Sequence, residues 1–208
     1  MNPNQPQFEI ETKILDIDPK KMQQELRNLG FVEYYNGRVH AVYFDTPDWQ
    51  LRDNGRSLRV RHQLETGVVK KTEKLKRKKY IPELGDHDWA KKIRVCEEIE
   101  VVLCPNEGER ADQLFCRMRQ FFIESGHQEH QEIEKDRISL RNGGVRIEID
   151  TLLRHNGGNI NIRPYLEIEA DSYALLVECA VKLGFNKEDA HPWSTRKLLR
   201  KKRAGEIK

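Results

Sequence analysis

The chain has 208 residues, of which 37% are hydrophobic and 34% are charged. Its 37 basic and 34 acidic residues nearly cancel, so a formal net charge of +3 does not by itself indicate a nucleic-acid-binding protein. The length and the patterned apolar residues favour a folded domain with a hydrophobic core over a disordered chain. No apolar run resembles a secretion signal or a membrane span. We therefore expect a cytoplasmic protein, a monomer or a homodimer, without a membrane or nucleic-acid partner.

In chain order, a polar tail (residues 1–7) precedes a single predicted domain (8–208). Alternation of apolar and charged residues predicts strands over 8–14, 38–46, 57–63, 67–78, 91–103, 137–140, 145–152, 159–163 and 165–170. Apolar residues at helical spacing, followed each time by a glycine, predict helices over about 19–29, 108–125 and 172–183. Asn-Gly pairs at 54–55 and 142–143 are typical of hairpin turns, and 80–88 is predicted to be a loop.

The tripeptide Glu-Ile-Glu occurs three times, at 9–11, 98–100 and 167–169, and a predicted helix follows each copy. Residues i and i+2 of a strand share a face, so each copy places two carboxylates side by side. A like-charge pair about 4 Å apart costs roughly 4 kcal/mol at an effective dielectric near 20. Because cations would make such clustering tolerable, the repeat predicts a metal site. The alternative is three half-exposed strands whose Glu residues face water.

Charged residues in the other predicted strands keep the same two-residue period. Cationic pairs in phase are Arg59 with Arg61, Lys74 with Lys76, and Lys135 with Arg137. One arrangement is an open sheet with a charged solvent face, and the other is a closed antiparallel barrel with the charges in its lumen. Closure removes exposed edge strands, and the segregation of the two signs onto different strands favours the barrel. Acidic strands could then hold divalent metals, and basic strands a polyanion bridged to them.

Glu9-x-Glu11-x-Lys13 is also the N-terminal signature of a known superfamily, and further segments follow in that superfamily's order. These are Tyr43-Phe44-Asp45-Thr46-Pro47, Leu58-Arg59-Val60-Arg61, Thr72-Glu73-Lys74, Glu98-Ile99-Glu100, Glu134-Lys135-Asp136-Arg137, Ile149-Asp150 and Leu166-Glu167-Ile168-Glu169. Over almost its whole length the sequence resembles the CYTH superfamily, or triphosphate tunnel metalloenzymes. That superfamily includes thiamine triphosphatases, inorganic triphosphatases and class IV adenylate cyclases.

The resemblance implies an α+β fold in which a closed eight-stranded antiparallel β-barrel forms a tunnel, with helices packed on the outside. It implies Mg²⁺ or Mn²⁺ held by the carboxylates of Glu9, Glu11, Glu98, Glu100, Asp150, Glu167 and Glu169. It implies a triphosphate bound by Lys13, Arg59, Arg61, Lys74, Lys76, Lys135, Arg137 and Lys197. The residues to which it assigns catalysis are Glu9, Glu11, Lys13, Arg59 and Arg61.

Two features depart from the superfamily's pattern. An arginine is common two residues before the middle Glu-x-Glu, where this chain has Cys96, with Arg94 one step further back in phase. The Lys-rich link before Arg94 is unusually long and leaves open which of Lys70, Lys74 and Lys76 faces the tunnel, although Lys74 best fits a Thr-x-Lys pattern. The four cysteines lack zinc-site spacing, and Cys96 has no histidine in phase, which favours a small filler over a nucleophile.

The function implied by the resemblance is metal-dependent hydrolysis of inorganic tripolyphosphate or an organic triphosphate inside the tunnel. A class IV-type adenylate cyclase, which makes cyclic AMP and pyrophosphate from ATP, would use nearly the same charged residues. The charges therefore do not separate these two functions, nor do they give the number of metal ions. A non-catalytic binder of polyphosphate or nucleotides is a third interpretation.

Overall fold

The computed structural model of the protein describes residues 7–76 and 89–207. The predictions for tail residues 1–6 and for the loop 80–88 lie outside the described residues, and Gln7 begins the first strand. Ten strands are described: β1 Gln7–Leu15, β2 Val32–Asp45, β3 Arg56–Gln63, β4 Val68–Lys76, β5 Arg94–Leu103, β6 Gln128–Asn142, β7 Val145–His155, β8 Gly158–Asn159, β9 Tyr165–Ala170 and β10 Ala190–His191. The described helices are α1 Pro19–Asn28, α2 Gln50–Asp53, α3 Ala111–Glu124, α4 Tyr173–Lys182 and α5 Thr195–Arg203, with a short 3-10 turn at Ala90–Lys92.

Eight of these strands close into an antiparallel barrel in the order β1-β5-β4-β3-β2-β6-β7-β9, and β9 pairs back onto β1. The strands β8 and β10 pair with β7 and β1 outside this ring. The predicted α+β barrel with helices on its outside is therefore confirmed. Because β3 stands four strands from β9 in either direction around the ring, these two strands face each other across the lumen.

Apolar side chains lie between the barrel wall and the helices. The helices α1 and α4 contribute Leu26 and Leu176, which pack with Ile147 of β7 and Ile168 of β9. On another side of the barrel, α3 packs Leu114 in a separate buried cluster with residues of β2, β3 and β4. The period-two alternation seen in the sequence thus sends apolar residues outward and charges inward.

Apolar side chains occupy part of one end of the barrel lumen. Tyr165 and Leu152 lie two residues from Glu167 and Asp150 in their strands, on the lumen face, and are buried in a cluster with Leu198 and Leu199. Since the two leucines belong to α5, this helix covers that end on the side of β7 and β9. None of the described helices is long and apolar enough to span a membrane.

Several predicted element boundaries were wrong. Residues 160–163 form no strand, since β8 ends at Asn159 and β9 pairs with β1 and β7 instead. The strand β6 begins at Gln128 rather than 137, because its polar first half pairs with β2 along most of that strand. The predicted hairpin at 54–55 is a ten-residue connection that contains α2. The Asp45 carboxylate organises this connection by accepting hydrogen bonds from three of its backbone amides.

Candidate active site

A cavity of about 1020 Å³ lies in the barrel lumen. Its wall carries sixteen Lys and Arg side chains and eight carboxylates. The predicted site residues on this wall are Glu9, Glu11, Lys13, Arg59, Arg61, Lys74, Lys76, Glu98, Glu100, Lys135, Arg137, Glu167, Glu169 and Lys197. Asp150 is not part of the wall. It is fully buried and contacts two of the lining cations.

The first carboxylate cluster is formed by Glu9 and Glu11 of β1 and Glu169 of β9. Glu11 and Glu169 are register partners on adjacent strands, and each of the three residues offers an oxygen within 4.8 Å of the others. Burial raises the pKa of Glu169 well above its usual range, and the charges of Glu9, Glu148 and Glu167 add to that shift. Glu169 therefore favours its protonated form in this cluster.

The second carboxylate cluster comprises Glu148 and Asp150 of β7 and Glu167 of β9, again with oxygens within 4.8 Å of one another. The Asp150 carboxylate accepts hydrogen bonds from Lys135 Nζ at 2.6 Å and from Arg137 Nε and Nη2 at 2.7 Å. Although burial opposes it, Arg137 and Lys135 lower the pKa of Asp150 below its usual value. Two cations thus converge on one buried carboxylate at the centre of this cluster.

The register of the strands explains how one of those ion pairs forms. Arg137 of β6 is the direct partner of Asp150 in β7, so their side chains leave the sheet side by side. The next cation on the same face, Lys135, lies opposite Leu152 in the same register, two residues from Asp150 along β7. Lys13 of β1 is likewise the register partner of Glu167 and forms an ion pair with it.

Arg59 and Arg61 extend from β3, across the lumen from β9. Arg61 Nη2 lies 2.6 Å from a Glu100 carboxylate oxygen, whereas Arg59 Nη2 lies 3.8 Å from Glu98. The buried Nε atoms of both arginines have no hydrogen-bond partner among the described residues. Each of these two guanidiniums thus retains an unused N–H donor, which is typical of a site for an anionic ligand.

The sequence left open which lysine of β4 faces the lumen, and in the structure more than one does. Lys70, Lys74 and Lys76 all line the cavity, but they have different surroundings. Lys74 forms an ion pair with Glu9 and lies 2.7 Å from a Glu98 oxygen, which places it beside the first carboxylate cluster. Lys70 instead lies 2.7 Å from Glu100 at another part of the wall.

The mid-barrel carboxylates Glu98 and Glu100 belong to neither cluster. Burial favours the neutral form of Glu100, but Arg61 and Lys70 outweigh it and lower the pKa to about 2. Glu98 also has a lowered pKa, because Lys74 and Arg59 outweigh the effect of its burial. Both carboxylates therefore serve as ion-pair partners of phosphate-binding candidates in this structure.

Arg94 occupies the place where the sequence departed from the superfamily's pattern. Its guanidinium forms an ion pair with Glu11, its register partner across β1 and β5. The neighbouring Cys96 is fully buried, and burial raises the pKa of its thiol to about 11. A protonated, inaccessible thiol agrees with the prediction of a filler rather than a nucleophile.

Sequence reasoning missed two residues at the centre of the site. Glu148 lies in phase with Asp150, and this signal was present in the sequence although the residue was not selected. Tyr43 lines the cavity among Arg59, Lys135 and Lys74. Burial raises the pKa of the Tyr43 phenol, but the three cations outweigh this and lower it below the usual value. A single strand pattern gives no signal for such a convergence from three other strands.

The first carboxylate cluster fits a hard divalent cation. Its donors are all carboxylate oxygens, which Mg²⁺, Mn²⁺ and Ca²⁺ prefer. Among the described residues, Glu11 Oε2 is buried without a hydrogen-bond partner, and Glu169 holds its proton unusually strongly because it is buried and its neighbours are acidic. A bound cation would give Glu11 Oε2 a partner and would relieve the electrostatic repulsion at Glu169.

Solved structures from three organisms share this fold at low sequence identity. A candidate adenylate cyclase from Vibrio parahaemolyticus aligns with a TM-score of 0.68 at 18% identity, over 94% of this chain and 99% of that one. The PH1012 protein from Pyrococcus horikoshii gives 0.64 at 20%, over 89% and 96%. A candidate adenylyl cyclase from Hippeastrum with a dominant triphosphatase activity gives 0.58 at 16%, over 93% and 94%.

Comparison with curated protein sequences finds no match. The sequence profile of the CYTH domain, by contrast, matches residues 7–200, which is nearly the whole chain. The match spans all eight barrel strands and both carboxylate clusters. The chain therefore belongs to the CYTH family.

Proposed function

We propose that this protein is a metal-dependent hydrolase of triphosphates that acts inside the barrel lumen. The observation that carries the proposal is the first carboxylate cluster, in which Glu169 keeps a raised pKa, within a cavity whose cations outnumber its carboxylates two to one. A divalent cation would complement the carboxylate cluster, and a polyanionic substrate bound with it would complement the cations of the wall.

Glu9, Glu11 and Glu169 would hold the divalent ion, Mg²⁺ or Mn²⁺. Once bound, such an ion neutralises phosphate oxygens and lowers the pKa of a coordinated water. Asp150 and Glu167 would position cations and would not bind the metal ion. Their ion pairs fix the cations of β6 and β1, and so orient those cations toward the substrate.

The phosphates would be bound by Lys13, Arg59, Arg61, Lys135 and Arg137. Arg59 and Arg61 have free Nε donors, and guanidiniums match phosphate oxygens in bidentate geometry. In phosphoryl transfer most of the catalytic effect comes from positioning the substrate and stabilising its charge, which a rigid ring of buried cations supplies. The barrel wall also keeps bulk water from these charges, which strengthens each contact.

The phenol of Tyr43 can donate a hydrogen bond to a phosphate oxygen or hold a proton near it. Its lowered pKa brings the phenol closer to neutral pH, where proton transfer is more effective. Its three cationic neighbours are also phosphate-binding candidates, so the hydroxyl lies beside the expected substrate. We assign Tyr43 a supporting role in this reaction.

Inorganic tripolyphosphate is the substrate that this wall favours. Binding energy is concentrated on phosphate contacts, so a substrate consisting only of phosphates uses all of it. Adenylate cyclase activity on ATP would use the same contacts and is distinguished by its products.

Activity measurements on matched variants test the proposal. We expect purified protein to release phosphate from tripolyphosphate only with Mg²⁺ or Mn²⁺, and Glu11→Ala to abolish turnover. Arg61→Ala should weaken triphosphate binding, measured by calorimetry, with an unchanged circular-dichroism spectrum. Glu178→Ala, on the outer face of α4, is the control and should match the wild type. Metal-dependent activity retained by Glu11→Ala, or an unaltered affinity in Arg61→Ala, would contradict the assignments.

A further inference from the structure

The cavity continues from the barrel lumen to a mouth lined by α2 and α5. One face of α5 contributes Arg196, Lys197, Arg200 and Arg203, which follow helical spacing, and α2 contributes Arg52. Leu198 and Leu199 of α5 are buried in an apolar cluster with barrel residues, and Leu199 also borders the cavity. This anchoring fixes the cationic face toward the cavity.

Three of the cations at this mouth lack an ion-pair partner among the described residues, whereas Arg52 pairs with Asp53. Within the described residues, no acidic side chain lies within ion-pair distance of Arg196, Lys197 or Arg200. By contrast, Lys201 on another face of α5 pairs with Glu206. Asp45 also lines the mouth, but its oxygens accept hydrogen bonds from three backbone amides. An anion from outside would therefore find unpaired guanidinium and ammonium groups there.

A second observation points the same way. Exclusion of water by the surrounding protein lowers the pKa of Arg196, and the nearby charges of Arg52 and Arg94 lower it further against the effect of Asp45. Arg94 also forms the ion pair with Glu11 in the first carboxylate cluster. The cationic mouth is thus continuous with the proposed triphosphate site.

The aromatic group at this mouth has no free face for a nucleobase. The ring of Trp49 stacks on His130 with centroids 3.7 Å apart, and the Arg52 guanidinium carbon lies 4.3 Å from the Trp49 centroid. Two groups at such distances cannot share one face of the ring, so both faces are covered. An anion without a stacking ring fits the mouth better than a nucleotide does.

The cavity has more cations than carboxylates, and cations without a partner among the described residues lie toward α5. Its wall carries sixteen cations and eight carboxylates, and three of these cations, Arg52, Arg56 and Arg137, pair with carboxylates outside the wall, Asp53, Glu73 and Asp150. The formal excess is therefore about five positive charges before any metal ion binds. Arg196, Lys197 and Arg200 of α5 contribute to this excess.

We propose that the α2–α5 mouth is a subsite for the additional phosphates of linear polyphosphates longer than three units, with Arg196 and Arg200 as their main contacts. This inference rests on the proposal that the lumen binds a triphosphate. A longer chain would keep one triphosphate segment in the lumen and extend its remaining phosphates along the cationic face of α5.

The test compares tripolyphosphate with a size-fractionated longer polyphosphate as substrates of the full chain. In the double variant Arg196→Ala, Arg200→Ala, the ratio of KM for the longer chain to KM for tripolyphosphate should rise about tenfold or more. Loss of charge-assisted contacts has effects of this size. The control Arg117→Ala removes an exposed arginine on α3 that pairs with Glu109 outside the cavity, and should leave the ratio unchanged. An unchanged ratio in the double variant would overturn the inference.

Calorimetric titration of metal-free protein with the longer polyphosphate separates this inference from the proposed function. If the wild type hydrolyses neither substrate, the proposed function fails. The subsite is still supported if the double variant loses about tenfold in affinity, and is overturned if it does not. A 5′-triphosphorylated oligonucleotide is the second ligand. If the wild type binds the oligonucleotide, and the double variant loses this binding but still binds polyphosphate, the mouth is a nucleic-acid site. That result would overturn the proposal.

Discussion

Replacement of Glu169 by glutamine should stabilise the metal-free protein while weakening its response to metal. The Glu169 carboxylate lies in a cluster whose oxygens are within 4.8 Å of one another. At that separation and an effective dielectric near 20, each carboxylate pair costs about 3 kcal/mol. Lys74 and Arg146 offset part of this repulsion, the latter at 3.2 Å. We therefore expect a net gain of about 1–2 kcal/mol, or roughly 3–6 °C in Tm for a chain of this size.

The sign of the pH dependence follows from the raised pKa of Glu169. Folded protein keeps the proton at pH values where the unfolded chain, with an ordinary glutamate pKa of 4.5, has released it. The folded state therefore loses stability as the pH rises above that value. The stabilising effect of Glu169→Gln should be present at neutral pH and vanish as the pH falls below 4.5, where the unfolded wild type also takes up the proton.

Thermal unfolding in EDTA and in excess Mg²⁺, between acidic and alkaline pH, measures both effects. Metal should raise the Tm of the wild type, because a ligand that binds only the folded state stabilises it, and should do so much less for Glu169→Gln. Glu100→Gln provides a contrast of opposite sign, since it leaves Arg61 and Lys70 without their charged partner and should lower the Tm. A lower Tm for Glu169→Gln in EDTA, or an equal response to Mg²⁺, would refute the reasoning.

Two further changes test other parts of the site. Tyr43→Phe should lower kcat for tripolyphosphate and remove a limb of the pH–rate profile that lies below the ordinary tyrosine pKa of 10.0, because cations lower the pKa of this phenol. An unchanged profile in stopped or continuous phosphate assays would show that Tyr43 takes no part. Asp150→Ala should reduce the free energy of unfolding by about 3–5 kcal/mol in urea titrations, since it leaves Lys135 buried without its ion-pair partner and Arg137 with only Glu148 and Glu167. A loss below about 1 kcal/mol, the value typical of an exposed ion pair, would contradict the buried network.

The sequence predicted the barrel because its signal is local. Period-two alternation assigns each strand residue to the lumen or the outer wall, and the segregation of charge by strand argues for closure. Glu9, Glu11 and Lys13 share one strand, so their common face could be derived without any tertiary information. The order of the strands around the barrel is not encoded in such a pattern.

Contacts between strands could not be derived in the same way. The Asp150 carboxylate binds Arg137 because β6 and β7 are in one particular register. That register depends on packing of the whole barrel, so Asp150 was predicted as a metal ligand from its motif alone. The basic run at 196–203 is typical of a solvated helix face, and its dense positive charge hides the two leucines that anchor α5.

Product analysis tests the central claim most directly. The protein is incubated with tripolyphosphate or ATP in the presence of Mg²⁺ or Mn²⁺, and the products are separated by ion chromatography. We expect tripolyphosphate to be cleaved to pyrophosphate and phosphate more efficiently than ATP is hydrolysed, with cyclic AMP minor or absent. Cyclic AMP and pyrophosphate as the main products from ATP would contradict the hydrolase assignment and establish a cyclase in its place.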